Sequence, residues 1–231
     1  MEYASPVGHL FEYDNKRAEP LARWLFRATG HPVNSVADVG CGTRPLYPWV
    51  QKMNADGNLS YFGVDVDPAA IAKLEEMGLE CISPQDAASR TAEVVLAYEV
   101  IEHIPEGEND AFWGFLRAIT GDILVLTTPN FEGFVNGTTP EPARAEMRYV
   151  PDHFKDWSPR STDPHAHKVA FTATSLSDRI QSTFDPAEWD WLVYRAWRWS
   201  IIDHATQTVH QHHFKLHSVV WRRELYDRSA Q

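Results

Sequence analysis

The sequence predicts an α/β protein with a doubly wound, mostly parallel sheet of seven strands that ends in an antiparallel hairpin at one edge. Three observations support this fold class. Apolar runs alternate with helical segments between residues 16 and 130. The runs are nearly continuous, as in parallel strands covered on both faces. Glycines and acidic residues collect directly after these runs, where a doubly wound sheet binds its ligand. The 231 residues are predicted to form one domain, 1–231.

The first part of the chain contains five predicted strands. A helix over residues 16–29 places Trp24 and Leu25 among apolar positions at helical spacing, and it ends at Gly30. Apolar strands are predicted at 35–39, 61–67, 79–87, 93–100 and 122–130, with helices between them at 45–53, 68–78 and 109–120.

The second part begins with a long segment that has no periodicity. Residues 131–168 are rich in Pro, Gly, Arg and His, and a stretch of this kind between sheet elements is predicted to be a lid or substrate-binding insertion. Thr172 then caps a helix over 173–181. Strands at 188–199 and 214–225, joined through residues 199–213, complete the sheet as an antiparallel hairpin.

Composition excludes several classes of protein. Hydrophobic residues make up 43% of the chain and charged residues 23%, which excludes a disordered chain. The net charge of −11 lies in residues 1–139, while residues 140–231 are neutral overall and hold 8 of the 11 histidines. This balance opposes nonspecific nucleic-acid binding. We expect no membrane span, no secretory signal and a cytoplasmic location, because the apolar runs are short and only two cysteines are present.

A glycine turn and an acidic residue predict an adenosine cofactor. Asp38-Val-Gly40-Cys-Gly42 follows the first strand, and Asp65 ends the second strand. Glycines let the backbone approach a ligand, and an acid at the second strand accepts hydrogen bonds from ribose hydroxyls. The turn lacks the third glycine of a dinucleotide-binding motif, and a carboxylate at Asp38 suits a positively charged cofactor such as S-adenosylmethionine. Asp86, at the end of the third strand, is predicted to accept from the adenine amino group. A nicotinamide or nucleotide cofactor is the alternative.

A second cluster follows the fourth strand. Glu99, Glu102 and His103 share one face if the chain turns helically there, because their spacing is i, i+3 and i+4. Carboxylates packed together repel each other unless a proton or a cation is shared between them. Mg²⁺ or Mn²⁺ suits such a site. The fourth ligand is sought among three histidines of the long segment, His153, His165 and His167, of which His167 is preferred because Thr172 leads directly into a helix.

These motifs resemble those of class I S-adenosylmethionine-dependent methyltransferases, across roughly residues 15–225, and in particular the small-RNA 3′-terminal 2′-O-methyltransferases. That subfamily carries E-x-x-E-H, a TPN-x-E-F-N-like run and D-H-K-F-E-W-T. The corresponding segments here are 99–103, 128–136 and 165–172, with Ala170 and Phe171 in place of Glu and Trp. The resemblance implies a Rossmann-like fold and a metal held by four residues, Glu99, Glu102, His103 and His167.

The resemblance also implies the reaction. A metal bound by the neighbouring 2′ and 3′ hydroxyls of a terminal ribose lowers the 2′ hydroxyl pKa, and Glu102 or His103 serves as catalytic base. The acceptor is then a small RNA 3′ end. One alternative is a metal-independent O- or N-methyltransferase that acts on a small-molecule acceptor, and another is a protein that binds S-adenosylmethionine without catalysis. The acceptor, the choice between His167 and His153 as ligand, and the oligomeric state stay open at this point.

Overall fold

A computed structural model describes residues 33–43, 59–131, 162, 166–203 and 208–225. The seven strands are β1 (Ser35–Val39), β2 (Ser60–Val64), β3 (Glu80–Ile82), β4 (Ala92–Tyr98), β5 (Thr120–Pro129), β6 (Trp189–Asp203) and β7 (Thr208–Arg222). They form one sheet in the order β3-β2-β1-β4-β5-β7-β6. The strands from β1 to β5 pair in parallel, whereas β7 is antiparallel to both β5 and β6. The predicted doubly wound sheet with an antiparallel edge hairpin is therefore confirmed.

Four α-helices and one short 3₁₀ helix are described. They are α1 (Pro68–Glu76), α2 (Pro84–Ala87), the 3₁₀ helix Ile101–His103, α3 (Glu106–Ile119) and α4 (Ala173–Thr183). The Asp67 side chain caps α1 by accepting from the Ala69 amide, and Thr172 forms a capping box with Ser175 at the start of α4. The helix that Thr172 was predicted to cap is thus present.

The edge hairpin is longer than the sequence predicted. The two strands were expected to be joined through residues 199–213, but β6 continues to Asp203 and β7 begins at Thr208. Pairing runs from Trp189 opposite Arg222 to Asp203 opposite Thr208. The sequence beyond Trp199 is polar and rich in histidine, so no strand was predicted there. A two-stranded ribbon that extends beyond the sheet lacks the apolar pattern of a core strand.

The third strand is shorter than predicted. A strand was expected over residues 79–87, but β3 ends at Ile82 and Ser83 caps the one-turn helix α2. Proline at the first position of a helix is favourable, and Ser-Pro therefore begins a helical turn here. Asp86 accordingly lies in α2 and not at the end of the strand.

The sheet is covered by two separate apolar clusters. Alternate residues of each strand point to opposite faces. One face carries Leu124 and Leu126 of β5 with Trp113 of α3 and Leu176 of α4. The other face carries Ile123 and Val125 of β5 with residues such as Val36, Tyr61 and Val219. This alternation continues to the end of β5 and decides which polar residues meet there.

Several predictions fall outside the described residues. They are the helices at 16–29 and 45–53 and most of the insertion at about 131–168. Within the described ranges, none of the helices is long and apolar enough to cross a membrane.

Candidate active site

The predicted glycine turn follows β1 directly. Gly40 and Gly42 have φ values of 68° and 54°, in the left-handed region that favours glycine. The Gly40 amide donates to the Val64 carbonyl at 2.8 Å. A Cβ at Gly40 would lie 2.6 Å from Cγ2 of Val100, so any larger residue collides there. Val100 lies two residues before Glu102, and it therefore brings the glycine turn next to the second cluster.

Asp65 closes the glycine turn through its carboxylate. Its Oδ2 accepts from the Gly42 amide at 2.8 Å, and its Oδ1 accepts from the Asp67 amide at 2.9 Å. Each carboxylate oxygen has a further lone pair, so the group can still accept from a ligand hydroxyl. Val66, the next residue, is 81% exposed. Asp65 thus stands at the carboxyl edge of β2 between an ordered backbone turn and an accessible apolar side chain.

The two other predicted cofactor acids differ in burial. Asp38 is buried, and its Oδ2 accepts from the Tyr61 hydroxyl at 2.6 Å. Burial, and then the Asp38 carboxylate, raise the pKa of Tyr61 far above its usual range, so the phenol stays a donor. Asp86 is exposed, and its carboxylate accepts from the Ser83 hydroxyl at 2.7 Å within α2. Asp38 is therefore an internal carboxylate, whereas Asp86 is a surface group.

The 3₁₀ helix after β4 brings distant parts of the chain together. The Glu102 carbonyl accepts from the amides of Lys168 and Val169 at 2.7 and 3.1 Å. A parallel bridge joins Asn130 to Phe171, and the Phe131 amide donates to the Phe171 carbonyl at 2.9 Å. These backbone bonds hold the segment before α4 against the carboxyl ends of β4 and β5. His167 reaches the cluster for this reason.

Glu102, His103 and His167 form a compact group. Their candidate ligand atoms all lie within 4.8 Å of one another, and the two imidazole centroids are 4.8 Å apart. Nδ1 of His103 lies 3.2 Å from the Ala166 carbonyl oxygen. A carbonyl can only accept, so this contact places a proton on Nδ1, and the neutral form of the ring then has its lone pair on Nε2. Two imidazoles and one carboxylate converge here as ligands for a divalent ion would.

The burial and the hydrogen bonding of Glu102 suit a carboxylate that holds a cation. The residue is 0% exposed. Its Oε2 accepts from the Thr128 hydroxyl at 3.0 Å, while Oε1 has no hydrogen-bond partner. Burial raises the pKa of this carboxyl from 4.5 to about 8, although the Thr128 hydroxyl opposes the shift. A buried oxygen without a partner is unfavourable, and a cation between Glu102 and the two imidazoles would satisfy it.

Glu99 faces a different partner. Its Oε1 accepts from the Thr127 hydroxyl at 2.8 Å, and its Oε2 is ion-paired with the Lys215 ammonium. Lys215 is 4% exposed, and burial lowers its pKa from 10.5 to about 7. The ion pair places this ammonium directly against the Glu99 carboxylate. Among the described residues, Glu99 lies outside the group formed by Glu102, His103 and His167. Its predicted role as a ligand stays a prediction.

Solved structures share this architecture at low sequence identity. The plantazolicin methyltransferase BamL, solved with a triazolic desmethylPZN analog and SAH, is 12% identical with a TM-score of 0.57, and the match covers 95% of this chain and 91% of that one. The methyltransferase domain of bacterial CtHen1-C is 13% identical with a TM-score of 0.52, over 90% and 97%. The chain has the class I methyltransferase fold. The Pnkp1/Rnl/Hen1 RNA repair complex gives a TM-score of 0.55 at 14% identity, over 89% and 42%.

Sequence comparison adds no closer relative. No protein-family model matches the chain, and no curated protein matches it by sequence. The resemblance to class I methyltransferases is thus confirmed at the level of the fold.

His153 and His165, the alternatives to His167, lie outside the described residues. Three residues that form hydrogen bonds or an ion pair with Glu99 and Glu102 were not predicted from the sequence. They are Thr127, Thr128 and Lys215. A lysine within the alternating pattern of β7 was the available signal, but its partner depends on the pairing of β7 with β5.

Proposed function

We propose that this protein is an S-adenosylmethionine-dependent O-methyltransferase with a metal-assisted site, and that its acceptor is the 2′ hydroxyl of an RNA 3′ terminus. The convergence of Glu102, His103 and His167 next to the glycine turn is the observation that carries the proposal. A class I fold by itself allows many acceptors. A buried carboxylate with an unsatisfied oxygen beside two imidazoles narrows the choice to chemistry that needs a cation or a base at this position.

The cofactor is assigned to the carboxyl edge of β1 and β2. Asp65 would accept from the ribose hydroxyls, and Val66 would cover the adenine with an apolar surface. Gly40 would shape the turn, Gly42, which has nothing within 4 Å of its Cβ position, would leave space for the methionine part, and the buried Asp38 carboxylate would supply negative charge for its ammonium group. Asp86 would accept from the adenine amino group at the rim. S-adenosylmethionine supplies the methyl group that is transferred.

The divalent ion is assigned to Glu102, His103 and His167. Two imidazoles with one carboxylate favour Mn²⁺ over Mg²⁺, because magnesium prefers oxygen ligands. When bound, the ion lowers the pKa of an acceptor hydroxyl and orients its oxygen. The protein aligns that oxygen with the methyl donor. The Nε2 lone pair of His103 would be used by the ion, so the Glu102 carboxylate, which keeps a further lone pair, would accept the hydroxyl proton.

The terminal ribose is favoured as acceptor because it presents two neighbouring hydroxyls. A pair of vicinal hydroxyls can bind one ion through both oxygens, which fixes the position of the 2′ oxygen. The chain shares its fold with the methyltransferase domain of bacterial CtHen1-C and with a component of the Pnkp1/Rnl/Hen1 RNA repair complex. The acidic charge of residues 1–139 is expected to limit binding along the RNA backbone, so recognition would rest on the terminal nucleotide.

The test uses RNA oligonucleotides that differ only at the last ribose. We expect methyl transfer from labelled S-adenosylmethionine to an end with both hydroxyls, a loss of at least tenfold with a 3′-deoxy end, and no transfer to a 2′-deoxy end. A chelator should abolish transfer and Mn²⁺ should restore it. Equal labelling of the 2′-deoxy RNA would contradict the proposed acceptor. Full activity in the chelator would contradict the metal-assisted site.

A second candidate function is metal-independent methylation of a small-molecule acceptor. The contact between Nδ1 of His103 and the Ala166 carbonyl favours it, because a histidine with a lone pair on Nε2 can serve as a base without an ion. The plantazolicin methyltransferase BamL, which shares the fold, was solved with a triazolic desmethylPZN analog. Activity in a chelator that is lost in H103Q but not in H167Q would support this alternative.

A further inference from the structure

An ion pair joins the buried Lys215 ammonium to the partly buried Glu99 carboxylate. We infer that Lys215 withdraws Glu99 from the cation site, so that the ion is held by only three protein ligands: Glu102, His103 and His167. This inference rests on the proposed metal-assisted function and assigns its coordination. Lys215 is then a positioning residue, since it acts through Glu99 and does not itself contact the ion.

The two glutamates are bound by adjacent threonines that face opposite sides of the sheet. Thr127 donates to Glu99, and Thr128 donates to Glu102. Successive residues of a strand point to opposite faces, and these two threonines continue the two different apolar clusters of the sheet. The chain therefore separates the carboxylates that the E-x-x-E-H spacing would place on one face of a regular helix.

The position of Lys215 follows from the register of β7. In the antiparallel pair, Thr127 lies opposite His217 and Pro129 lies opposite Lys215. Lys215 and His217 point to the face of Thr127, because they share its alternation. The ammonium is thus delivered to the side on which Glu99 lies and not to the side of Glu102.

The backbone of Glu99 is fixed for this pairing. Its φ is 54°, in the left-handed region that is unfavourable for a residue with a side chain, and its amide donates to the Thr127 carbonyl at 3.0 Å. If Glu99 turned towards an ion, the buried Lys215 ammonium would lose its partner while a second cation entered nearby. Both effects are strongly unfavourable in a dry environment, so the ion pair persists when the ion binds.

Three protein ligands leave room for the acceptor. Mn²⁺ and Mg²⁺ prefer about six ligands. With three positions filled by Glu102, His103 and His167, two remain for the vicinal hydroxyls of the ribose and one for water. A fourth protein ligand would take the position of the water and leave two for the hydroxyls. The Lys215 pair would therefore weaken binding of the ion and leave an exchangeable water beside the acceptor.

Mn²⁺ binding to the full chain, followed by electron paramagnetic resonance, tests the inference without an activity readout. E99Q alone is expected to weaken binding, because it leaves the Lys215 ammonium without its carboxylate near the ion, so the double variant K215M/E99Q tests whether Glu99 is a ligand. K215M should tighten binding by roughly tenfold, since it releases a carboxylate to the ion. The double variant K215M/E99Q should return to within about threefold of the wild type. K73M, which removes an exposed ion pair with Glu76, is the matched control and should have no effect.

The opposing outcomes are distinct. A loss of more than tenfold in K215M/E99Q relative to the wild type would show that Glu99 is a ligand, and an unchanged Kd in K215M would show that Lys215 does not keep Glu99 away from the ion. Either result overturns the inference while the proposed methyl transfer stands. If no variant binds Mn²⁺, the inference fails together with the metal-assisted site, and transfer in the presence of a chelator then decides whether methyltransferase function survives. Binding of SAH by each variant shows that it is folded.

Discussion

The centroids of the His103 and His167 imidazole rings lie 4.8 Å apart, although the two residues are far apart in the sequence. His103 is fixed by the 3₁₀ helix after β4. His167 is fixed by the backbone bonds that the next two residues make to the Glu102 carbonyl. The edge of the Phe131 ring also faces His167, with centroids 6.2 Å apart. The pair is thus held by rigid backbone on both sides, as a binding site requires.

Replacement of His167 should remove the ion and spare the fold. We expect H167Q to weaken Mn²⁺ binding and metal-dependent methyl transfer by at least about 100-fold, since one of three ligands is lost. Paramagnetic resonance and product labelling measure these effects. H217Q is the matched control, because His217 is a partly buried histidine of β7 whose Nδ1 contacts the Tyr194 hydroxyl outside the group. Equal losses in both variants would argue against a specific role for His167.

Gly40 should tolerate no side chain. G40A introduces a Cβ at 2.6 Å from Cγ2 of Val100 in a residue with a φ of 68°, and we expect a loss of about 2–4 kcal/mol in the free energy of unfolding. Affinity for SAH should also fall, because Val100 connects the glycine turn to the 3₁₀ helix. Chemical denaturation and calorimetric titration provide the measurements.

Gly114 offers the control for this substitution. It lies in α3 with nothing within 4 Å of the Cβ position, so G114A should stabilise the protein by up to about 1 kcal/mol through helix propensity. A G40A variant as stable as the wild type would mean that the turn is looser than the structure shows.

Asp65 should be the dominant acid for the cofactor. D65N replaces one carboxylate oxygen with an amide donor, so it disrupts the bond to the Gly42 or the Asp67 amide as well as those to the ribose hydroxyls. We expect SAH binding to weaken by more than about tenfold in calorimetry. D86N should cost far less, because Asp86 is exposed and already accepts from Ser83. A larger effect of D86N would reverse the assignment of the two acids.

Stability should depend on pH through Glu102. Its pKa is about 8 in the folded protein, against 4.5 without the environment of the fold, so between these values the folded state binds more protons than the unfolded state. The free energy of unfolding therefore falls as pH rises from about 5 to 8, by at most about 1.4 kcal/mol per pH unit. Glu102→Gln should remove this contribution while keeping the Thr128 hydrogen bond.

The difference between wild type and E102Q isolates this contribution, since other titrating groups are common to both proteins. Urea denaturation without divalent ions at several pH values measures it. The two proteins should diverge across this range, and Mn²⁺ should reduce the divergence because it binds the ionised carboxylate. Parallel pH profiles would show that Glu102 does not titrate as its burial implies.

The order of the strands' apolar runs and the glycine turn could be predicted from the sequence, because both depend on local patterns. Apolar runs define the parallel strands, Gly40 and Gly42 define a turn that only glycine adopts at low cost, and Asp65 ends the next strand. The proximity of His103 and His167 was also predicted. It followed from a resemblance between motifs, since 63 residues separate His103 from Ala166, to which it bonds, and no periodicity reaches that far.

The partners of Glu99 and Glu102 depend on contacts between distant segments, so they are seen only in the tertiary structure. The spacing of Glu99 and Glu102 allows a shared face, but the positive φ of Glu99 and the alternation of Thr127 and Thr128 direct them to different partners. Lys215 meets Glu99 because β7 pairs with β5 in one particular register. A shift of that register by one residue would turn Lys215 to the other face of the sheet. Register is a property of packed strands, so no local sequence pattern around Glu99 could predict that Lys215 is its partner.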